Sequence, residues 1–448
     1  MNQTELRSAL ALASIYLMRM LGLFMIMPVI AILAQSYPDY SPFLVGLAIG
    51  GYGLTQAVMQ IPMGIWSDKY GRKPVIVAGL LVFMLGSLVA ATADSLWMVV
   101  VGRILQGAGA IAGAVMALAA DASRENQRAK VMAIIGIAIG FSFYLAMILG
   151  PIIAASTGLS GIFFLTAILA LAGVPLVLLA VPTLSVTAPK GDTLPALASI
   201  KQLFSQSSLW RLNVSVLILH CLITLIFVQL PVLFIDQGWV LDDHWRVYLP
   251  ILLASIVGLS VLMGMRRRID GKALMSVSVL ILAFSCSGLL LFSEQEMPLL
   301  LLVWLFFCGF NYLEANLPAM VSNIAPAGQK GSAMGVYASF QFFGAFLGGA
   351  LSGTLSGFFG YQAAFLAAAI LCVIWLWVLQ GMDNLVPIKR YALIYAADRT
   401  ATELTTTLST LSGVNEVSID HNELTVYLKV DAERFDLQAA KKVLGQPC

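Results

Sequence analysis

The chain has 448 residues, of which 60% are hydrophobic and 11% are charged, and its formal net charge is +2. Soluble proteins carry about a quarter charged residues, so this composition excludes an ordinary soluble enzyme or binding domain. The near-neutral charge also excludes a typical nucleic-acid partner, which needs a basic surface. At about 20 residues per span, roughly the first 385 residues provide about twelve membrane helices.

Twelve apolar segments, separated by polar breaks, run along this part of the chain. They lie at about residues 9–34, 43–65, 74–93, 96–119, 129–153, 161–182, 211–235, 246–265, 273–293, 297–322, 331–356 and 361–382. The first segment is too long for a cleavable signal peptide and no small-residue cleavage site follows it. We therefore predict an uncleaved first span.

The distribution of basic residues predicts the topology. The N-terminus, the even-numbered breaks and the start of the tail hold 17 Lys and Arg residues, whereas the odd-numbered breaks hold one, Arg246. Acidic residues such as Asp39, Asp94 and Glu294 occupy the odd-numbered breaks instead. Because positive charge stays on the cytoplasmic side of a membrane, both termini are predicted to be cytoplasmic.

An internal repeat divides the spans into two groups of six. Gly64, Gly71 and Arg72 recur 200 residues later as Gly264, Gly271 and Lys272, again between the second and third spans of a half. Parallel repeats of this kind place a substrate path where the halves meet. We therefore predict two six-helix bundles, at residues 1–182 and 211–385.

Residues 183–210 are predicted to be a cytoplasmic linker. Leu197, Ile200, Leu203 and Phe204 follow helical spacing, which favours an amphipathic helix on the membrane surface. A linker without regular structure is the alternative.

The tail, residues 386–448, has a different pattern, with predicted elements in the order β-α-β-β-α. This order resembles a small ferredoxin-like domain. A fourth strand would follow Leu444, but only four residues remain. The five cysteines are scattered and form no C-x-x-C or Cys/His cluster, so we predict neither a metal site nor a cofactor.

The short polar turn at residues 64–74 lies between two apolar segments and holds one acid and three bases. It reads G-x-x-x-D-x-x-G-R-K, through Gly64, Asp68, Gly71, Arg72 and Lys73. A turn this polar must face water at one surface of the bilayer. Its charges could bond helix ends and neighbouring carboxylates, or could only set the topology.

This turn resembles the loop between helices 2 and 3 of the major facilitator superfamily, and every defined position of that pattern is filled. The resemblance implies an all-α membrane protein of two six-helix bundles. It also implies that Arg72 pairs with Asp121, while Asp68 faces the N-terminus of the eleventh span near Gly331. A carboxylate there gains from the helix dipole. We call Gly64, Asp68, Gly71, Arg72, Lys73 and Asp121 the latch, and expect it to stabilise the outward-facing state.

Ionisable groups inside membrane spans are costly and usually functional. Four candidates for proton coupling stand in the apolar segments: Arg19, Arg103, His220 and Glu314. Arg19 is deep enough in its span that we expect it to face a wet cavity. Arg103 begins a string similar to the superfamily's R-x-x-Q-G-x-G motif, which implies either proton coupling or structural hydrogen bonding.

Glu314 is the carboxylate predicted to lie deepest in the membrane, where burial favours its neutral, protonated form. It is therefore the foremost candidate for loading and releasing a proton. His220 could do the same or serve as a structural donor. A permanent ion pair with an arginine, or a site for a cationic substrate, is the alternative for Glu314.

Gly140, Gly150 and Pro151 in the fifth span resemble the antiporter motif of drug/proton exchangers. The resemblance implies a kinked fifth helix whose small residues pack against the eighth. The match is partial, because Ala154 and Ala155 stand where the motif ends in two glycines.

Polar side chains at helical spacing are candidates for the substrate cavity. Tyr52 and Gln56 form one i,i+4 pair, and Tyr337 and Gln341 form another. Three further candidates are Tyr144, Gln229 and Asn311. Since the remaining interior is rich in Met, Phe and Leu, we expect an amphipathic or lipophilic ligand.

Together with these patterns, the resemblance implies a monomeric, proton-coupled secondary transporter of the drug/proton antiporter type in a bacterial inner membrane, exporting small amphipathic molecules by alternating access. Its partners would be the lipid bilayer, protons, the substrate and a ligand or protein that binds the tail. A proton-linked importer and a non-transporting sensor that acts through the tail are the alternatives. An enzyme is not expected, because no nucleophile, metal cluster or phosphate loop is present.

Overall fold

The computed structural model describes residues 1–181, 206–266, 268–325, 330–382, 388–395, 401–420, 425–431 and 434–444. Within these residues, eleven helical segments are long and apolar enough to cross a membrane. The predicted amphipathic helix around Leu197 lies outside the described residues.

The helices of the first half precede residue 182. They are α1 Gln3–Phe24, α2 Ile30–Leu33, α3 Pro42–Tyr70, α4 Arg72–Ala91, α5 Leu96–Ala108, α6 Ala112–Asp121 and α7 Glu125–Pro175. Helix α7 has 51 residues and is interrupted at Gly158, where φ is 67°. A short π-helical segment, Leu176–Ala180, follows it.

The second half contains six further helices. They are α8 Ser207–Asp236, α9 His244–Met265, α10 Gly271–Phe292, α11 Glu296–Ile324, α12 Lys330–Phe359 and α13 Tyr361–Gln380.

Local sequence explains where these helices begin and end. The Ser41 hydroxyl accepts a hydrogen bond from the backbone N–H of Leu44 at 3.2 Å, and Pro42 occupies the first turn of α3. Helix α3 ends at Gly71, whose φ of 97° is open to glycine but strained for other residues. The turn at Gly71 therefore allows α4 to begin at once.

Two spans expected to be continuous are broken. The first span divides at residues 25–29, where Pro28 lacks a backbone N–H donor. The fourth span divides between α5 and α6 at Gly109, which packs against the backbone of Gly79 on α4 so closely that a side chain would collide. Non-helical backbone at membrane depth requires internal hydrogen-bond partners, and buried side chains supply them.

The bundle has two chemically distinct ends. We call the end with the turns containing Arg72 and Lys272 the basic end, and the end with Asp39 and Glu294 the acidic end.

The two halves touch directly toward the acidic end, along α3 and α12. A Cβ on Gly46 would collide with the carbonyl of Gly349, and a Cβ on Gly50 would lie 2.8 Å from the carbonyl oxygen of Phe346. Glycines thus allow the two backbones to meet without intervening side chains. The contact continues to the hydroxyl of Ser339, which donates to the carbonyl of Ala57 at 3.1 Å.

The same helices separate toward the basic end. A Cβ on Gly64 of α3 or on Gly335 of α12 would meet no atom within 4 Å. Helix α7 also has an open side. A Cβ on Gly136 or Gly140 would meet no atom within 4 Å, and both residues lie on the same side of α7 as Tyr144, which contacts the second half. Contact at the acidic end and open helix faces at the basic end indicate a cleft between the halves that opens at the basic end.

Apolar packing follows this division. One core cluster contains most of the second half together with the acidic-end part of the first half. The other buried cluster is formed by basic-end residues of the first half. Between the halves, the Phe143 ring lies 5.3 Å from Phe24 of the first half. It lies 6.1 Å and 6.2 Å from Phe227 and Phe307 of the second half. These four rings, which we call the aromatic seal, close the cleft from the acidic side.

The halves repeat one lysine contact at the basic end. The Lys73 ammonium donates to the carbonyl of Val181 at 2.6 Å, where the first half ends. Lys272 donates to the carbonyls of Gln380, at 3.1 Å, and Met382, where the second half ends. Lys272 is therefore the counterpart of Lys73, not of Arg72 as the alignment of glycines predicted.

The tail contains β1 Ile388–Ile394, α14 Ala401–Ser409, β2 Val414–Asp420, β3 Thr425–Asp431 and α15 Leu437–Val443. Its sheet is antiparallel with strand order β1-β3-β2, and Tyr391 and Val417 both pair with Leu428 of the central strand. Side chains including Leu404, Leu408 and Val426 form a separate apolar core.

Asp39 fastens the acidic end of the first half. Its carboxylate accepts hydrogen bonds from the backbone N–H groups of Leu96, at 2.7 Å, and Trp97, at 3.1 Å, in the first turn of α5. The Leu96 bond, with the Trp97 bond adding to it, holds the pKa of Asp39 below its usual value. The ionised carboxylate therefore stabilises the folded state.

We predict that Asp39→Ala lowers the melting temperature of the purified protein at neutral pH. Because the folded pKa is lowered, this stabilisation is complete above the unfolded pKa of about 4 and is lost as pH falls through the folded value. Melting curves recorded against pH should converge for the two proteins in acid. Asp94→Ala, which changes an exposed acid in a nearby turn, is the control; a constant difference at every pH would contradict the assignment.

We predict that Gly349→Val separates the halves at the acidic end, because its side chain would collide with the Gly46 carbonyl. Spin labels at the exposed positions Tyr40 and Val240 should move apart by several ångströms. Gly335→Val has room for its side chain and should leave this distance unchanged. Equal distances in all three proteins would show that the glycine contact does not hold the acidic end closed.

Candidate functional site

Three polar side chains from three helices meet in the second half. His220 Nε2 on α8 lies 3.6 Å from Glu314 Oε2 on α11. The Gln341 amide on α12 places its Nε2 2.7 Å from His220 Nε2 and 3.4 Å from Glu314 Oε1. The structure thus unites two proton candidates and one cavity candidate in a single cluster.

The surroundings of this cluster are largely apolar. The Phe310 ring lies 6.3 Å from the His220 ring. Tyr337 is buried, interacts electrostatically with Glu314, and its hydroxyl has no hydrogen-bond partner among the described residues. The Glu314 side chain is 37% exposed, although its Oε2 atom is buried and has no hydrogen-bond partner among the described residues. A group that can reach water and yet lies among apolar rings can exchange a proton with a strong effect on its neighbours.

Asn311 connects the halves just beyond this cluster. Its amide donates to the Tyr144 hydroxyl on α7 at 3.2 Å and to the Ser255 hydroxyl on α9 at 2.9 Å. These contacts place Tyr144 and Asn311 between the two halves, and their role as cavity residues stays a prediction. Ser255 was not predicted, although a polar residue within an apolar segment is a usable signal.

The other cavity candidates are not in the cleft. Gln229 donates to the Ser352 hydroxyl at 2.8 Å between α8 and α12, and is nearly buried. Tyr52 and Gln56 are buried inside the first half. The i,i+4 spacing correctly places Tyr52 and Gln56 on one face of α3. It does not tell whether that face points into the cleft or into the bundle.

Arg19 is buried inside the first half, not in a wet cavity as predicted. It is 1% exposed and donates to Gln56 Oε1 at 2.7 Å and to the carbonyl of Gly109 at 3.0 Å. Its guanidinium carbon lies 5.5 Å from the centre of the Phe83 ring. Because the Gly109 carbonyl lies at the break between α5 and α6, Arg19 supplies the partner that the broken helix needs.

Arg103 also forms internal bonds. Its Nε donates to the carbonyl of Ala48 at 2.8 Å, and its Nη1 donates to Gln106 Oε1 at 2.7 Å. The Gln106 amide in turn donates to the Ser87 hydroxyl. Of the two roles left open by the sequence, this geometry favours structural hydrogen bonding among α3, α4 and α5.

The latch is assembled within the first half. Arg72 Nε lies 3.2 Å from Asp121 Oδ2, as the resemblance implied, and Arg72 Nη1 also bonds Asp68 and the Ser67 hydroxyl. The surroundings of Gly331 at the start of α12 lie outside what the structure describes, so the predicted contact of Asp68 with this helix start stays a prediction.

A small residue of the fifth span packs against the first span. A Cβ on Gly150 would lie 2.6 Å from the carbonyl oxygen of Met25, just after α1. Gly150 therefore allows close approach to the first span, and the helix of the fifth span also contacts α9, the eighth span. The antiporter role of Gly140, Gly150 and Pro151 stays a prediction. Within the described residues, no group of three or more His, Cys, Asp or Glu side chains could hold a metal ion.

We predict that Arg103→Met lowers stability by about 1–3 kcal/mol, because it leaves a buried amide oxygen unpaired, without removing pH-dependent transport. Thermal unfolding and proton release on substrate addition measure the two effects. Ser87→Ala, which breaks the next bond of the same network, should give a smaller loss of stability. Loss of pH dependence at unchanged stability would instead assign Arg103 to proton coupling.

Comparison with known proteins places these features in a family. The family described as "Major Facilitator Superfamily" matches residues 12–313 and 252–390. The chain is 39% identical over 449 residues to "Inner membrane transport protein YajR" of Escherichia coli (strain K12), covering 98% of both chains. It is also 34% identical over 148 residues to "Tetracycline resistance protein, class B" of Escherichia coli, covering 32% of this chain and 36% of that protein.

A solved structure has the same fold. It is a bacterial homologue of the human lysosomal transporter Spinster in an inward-facing, occupied conformation, with a TM-score of 0.69 and 13% identity. The match covers 85% of this chain and 97% of that one. The chain therefore belongs to the major facilitator superfamily and is a multi-pass membrane transporter, not an enzyme.

Proposed function

We propose that this transporter exports small amphipathic molecules in exchange for protons. The observation that carries the proposal is the Glu314–His220–Gln341 cluster, which combines a partly exposed acid with an imidazole inside the membrane. Such groups are costly in a membrane and are retained where they bind ions or protons. The tetracycline resistance protein named above supports export of a drug-like substrate.

We place the basic end in the cytoplasm, because 17 basic residues against one favour that side. Both termini are then cytoplasmic and the cleft opens inward, in a bacterial inner membrane. We count twelve spans, since Gly158 divides the 51 residues of α7 into two membrane-crossing parts. The tail is proposed to be a ferredoxin-like domain, of which the described residues form three strands and two helices.

Alternating access then requires the closed acidic end to open and the open basic end to close. The glycine contact between α3 and α12 and the aromatic seal lie at the acidic end, which is the periplasmic side in this proposal. In the outward-facing state, the open faces at Gly64 and Gly335 would approach each other. Asp68 of the latch would then meet the start of α12, where a carboxylate gains from the exposed N–H groups.

Proton release and uptake at the cluster drive the change between the inward-facing and outward-facing states. The inward-facing state releases its proton to the cytoplasm through the open cleft and binds the substrate against the aromatic seal. The loaded protein turns outward, releases the substrate and takes up a proton from the periplasm. A single acid among Phe and Tyr rings suits amphipathic molecules, because rings provide apolar contact and the acid provides one polar anchor.

We predict that Glu314→Gln abolishes substrate efflux driven by a pH gradient but leaves substrate binding within about threefold, since the amide keeps the shape and loses the proton. Everted vesicles with an imposed gradient measure transport, and purified protein measures binding. Glu294→Gln changes a second-half acid outside the cluster and should transport normally.

Unchanged coupled transport in Glu314→Gln would remove Glu314 from the proton pathway. Direction is tested in the same preparation, because an exporter accumulates substrate in everted vesicles. Proton-driven accumulation in right-side-out vesicles alone would identify an importer on the same fold.

A further inference from the structure

The hydrogen bonds of Gln341 restrict where protons can lie in the cluster. An amide nitrogen can only donate, so the 2.7 Å contact from Gln341 Nε2 makes His220 Nε2 an acceptor. The ring proton of His220 is then on Nδ1, which donates to the carbonyl of Val216 at 3.2 Å. The same amide nitrogen faces Glu314 Oε1 at 3.4 Å. Gln341 therefore donates toward two groups that both lack a proton on the atom it faces.

A proton on His220 Nε2 is incompatible with this arrangement. It would place an N–H group against the N–H group of the Gln341 amide. The amide must then rotate to present its oxygen, or move away. The His220 proton would turn toward Glu314 Oε2, which lies 3.6 Å away. The orientation of Gln341 is thus linked to the charge of the pair.

Gln341 also lies where the two halves part. Its neighbour Phe342 packs its ring 6.1 Å from Tyr52 of the first half, and its carbonyl contacts Gly53. Two residues earlier, Ser339 makes a hydrogen bond to Ala57 of α3. One turn further toward the basic end, Gly335 faces open space. A rotation of Gln341 therefore acts on α12 at the boundary between its bound and free parts.

We infer that Gln341 is a positioning residue that transmits the protonation of the Glu314–His220 pair to the contact between α3 and α12. This inference rests on the proposed proton coupling and adds the residue through which it acts. The unprotonated pair holds Gln341 as seen here and keeps the basic end open. Protonation releases Gln341, so the empty protonated protein can close that end and also reopen it, which is the return step that the proposed exchange needs.

Other titratable groups do not provide the same link. Tyr337 on α12 faces Glu314 but is a neutral phenol at physiological pH. From the first half, Arg19 and Arg103 are held by amide and carbonyl oxygens of their own bundle. Within the described residues, the charge-sensitive contact of α12 at this depth is therefore Gln341.

The test compares Gln341→Met with Gln229→Met in the full-length protein. Both changes remove a side-chain amide that bonds α8 to α12 and keep the side-chain volume. The Gln341 amide is partly buried and faces the cluster, whereas the Gln229 amide is buried and, among the described residues, bonds the hydroxyl of Ser352. Spin labels at the exposed basic-end positions Tyr70 and Arg268 report the opening of the cleft. Cys448→Ser removes a thiol outside the described residues.

The inference predicts that acidification shortens the label distance in the parent protein and in Gln229→Met, and that Gln341→Met loses most of this response. Gln341→Asn, which shortens the amide and disturbs packing less, should shift the midpoint by about one pH unit, equivalent to a tenfold change in proton affinity. It provides the same test if Gln341→Met does not fold.

A parent-like pH response in Gln341→Met or in Gln341→Asn would overturn the role of Gln341. Glu314→Gln separates this failure from failure of the proposed function. If Glu314→Gln abolishes the response and Gln341→Met does not, proton coupling stands and acts through another residue. If Glu314→Gln also retains the response, the proton proposal itself fails.

Discussion

Direct backbone packing between α3 and α12 is the constraint on which the rest of the structure depends. Glycines at positions 46, 50 and 349 remove the side chains that would hold these helices apart. In lipid, where apolar surface provides little drive for helix association, such close van der Waals contact is a main source of attraction. Because the contact is confined to one end, the helices must diverge toward the other. The cleft, its single opening and the exposure of Glu314 all follow from this divergence.

The two halves treat their buried charges in opposite ways. In the first half, Arg19 and Arg103 lie among amide and carbonyl oxygens, and Arg19 completes the hydrogen bonding of a broken span. Arg19 Nε and Nη1 have no hydrogen-bond partner among the described residues, and the guanidinium lies against the Phe83 ring. In the second half, Glu314 and His220 share one amide and remain partly exposed. Because a partly exposed group changes its charge at a lower cost than a fully buried one, we assign the response to protons to the second half.

The sequence predicted the apolar spans and the basic and acidic ends, because each leaves a local or periodic signal. The pairing of Arg72 with Asp121 was implied by the resemblance of the turn at residues 64–74 to the family motif, and the role of Glu314 stays a prediction. The sequence could not bring His220 next to Glu314, since 94 residues separate them and their contact depends on how α8 and α11 pack. Tyr52 and Gln56 show the same limit, because helical spacing defines a shared face but not its direction. The break at Gly109 arises from close packing on Gly79, which is also a tertiary effect.

Accessibility of position 140 tests this arrangement most directly. Gly140 has room for a side chain and lies one turn from Tyr144, on the face of α7 that looks into the cleft. A cysteine placed there should react with a membrane-impermeant maleimide from the cytoplasmic side, in everted vesicles, and be protected in right-side-out vesicles. Reaction only from the periplasmic side would contradict a cleft that is closed by the α3–α12 contact and open at the basic end.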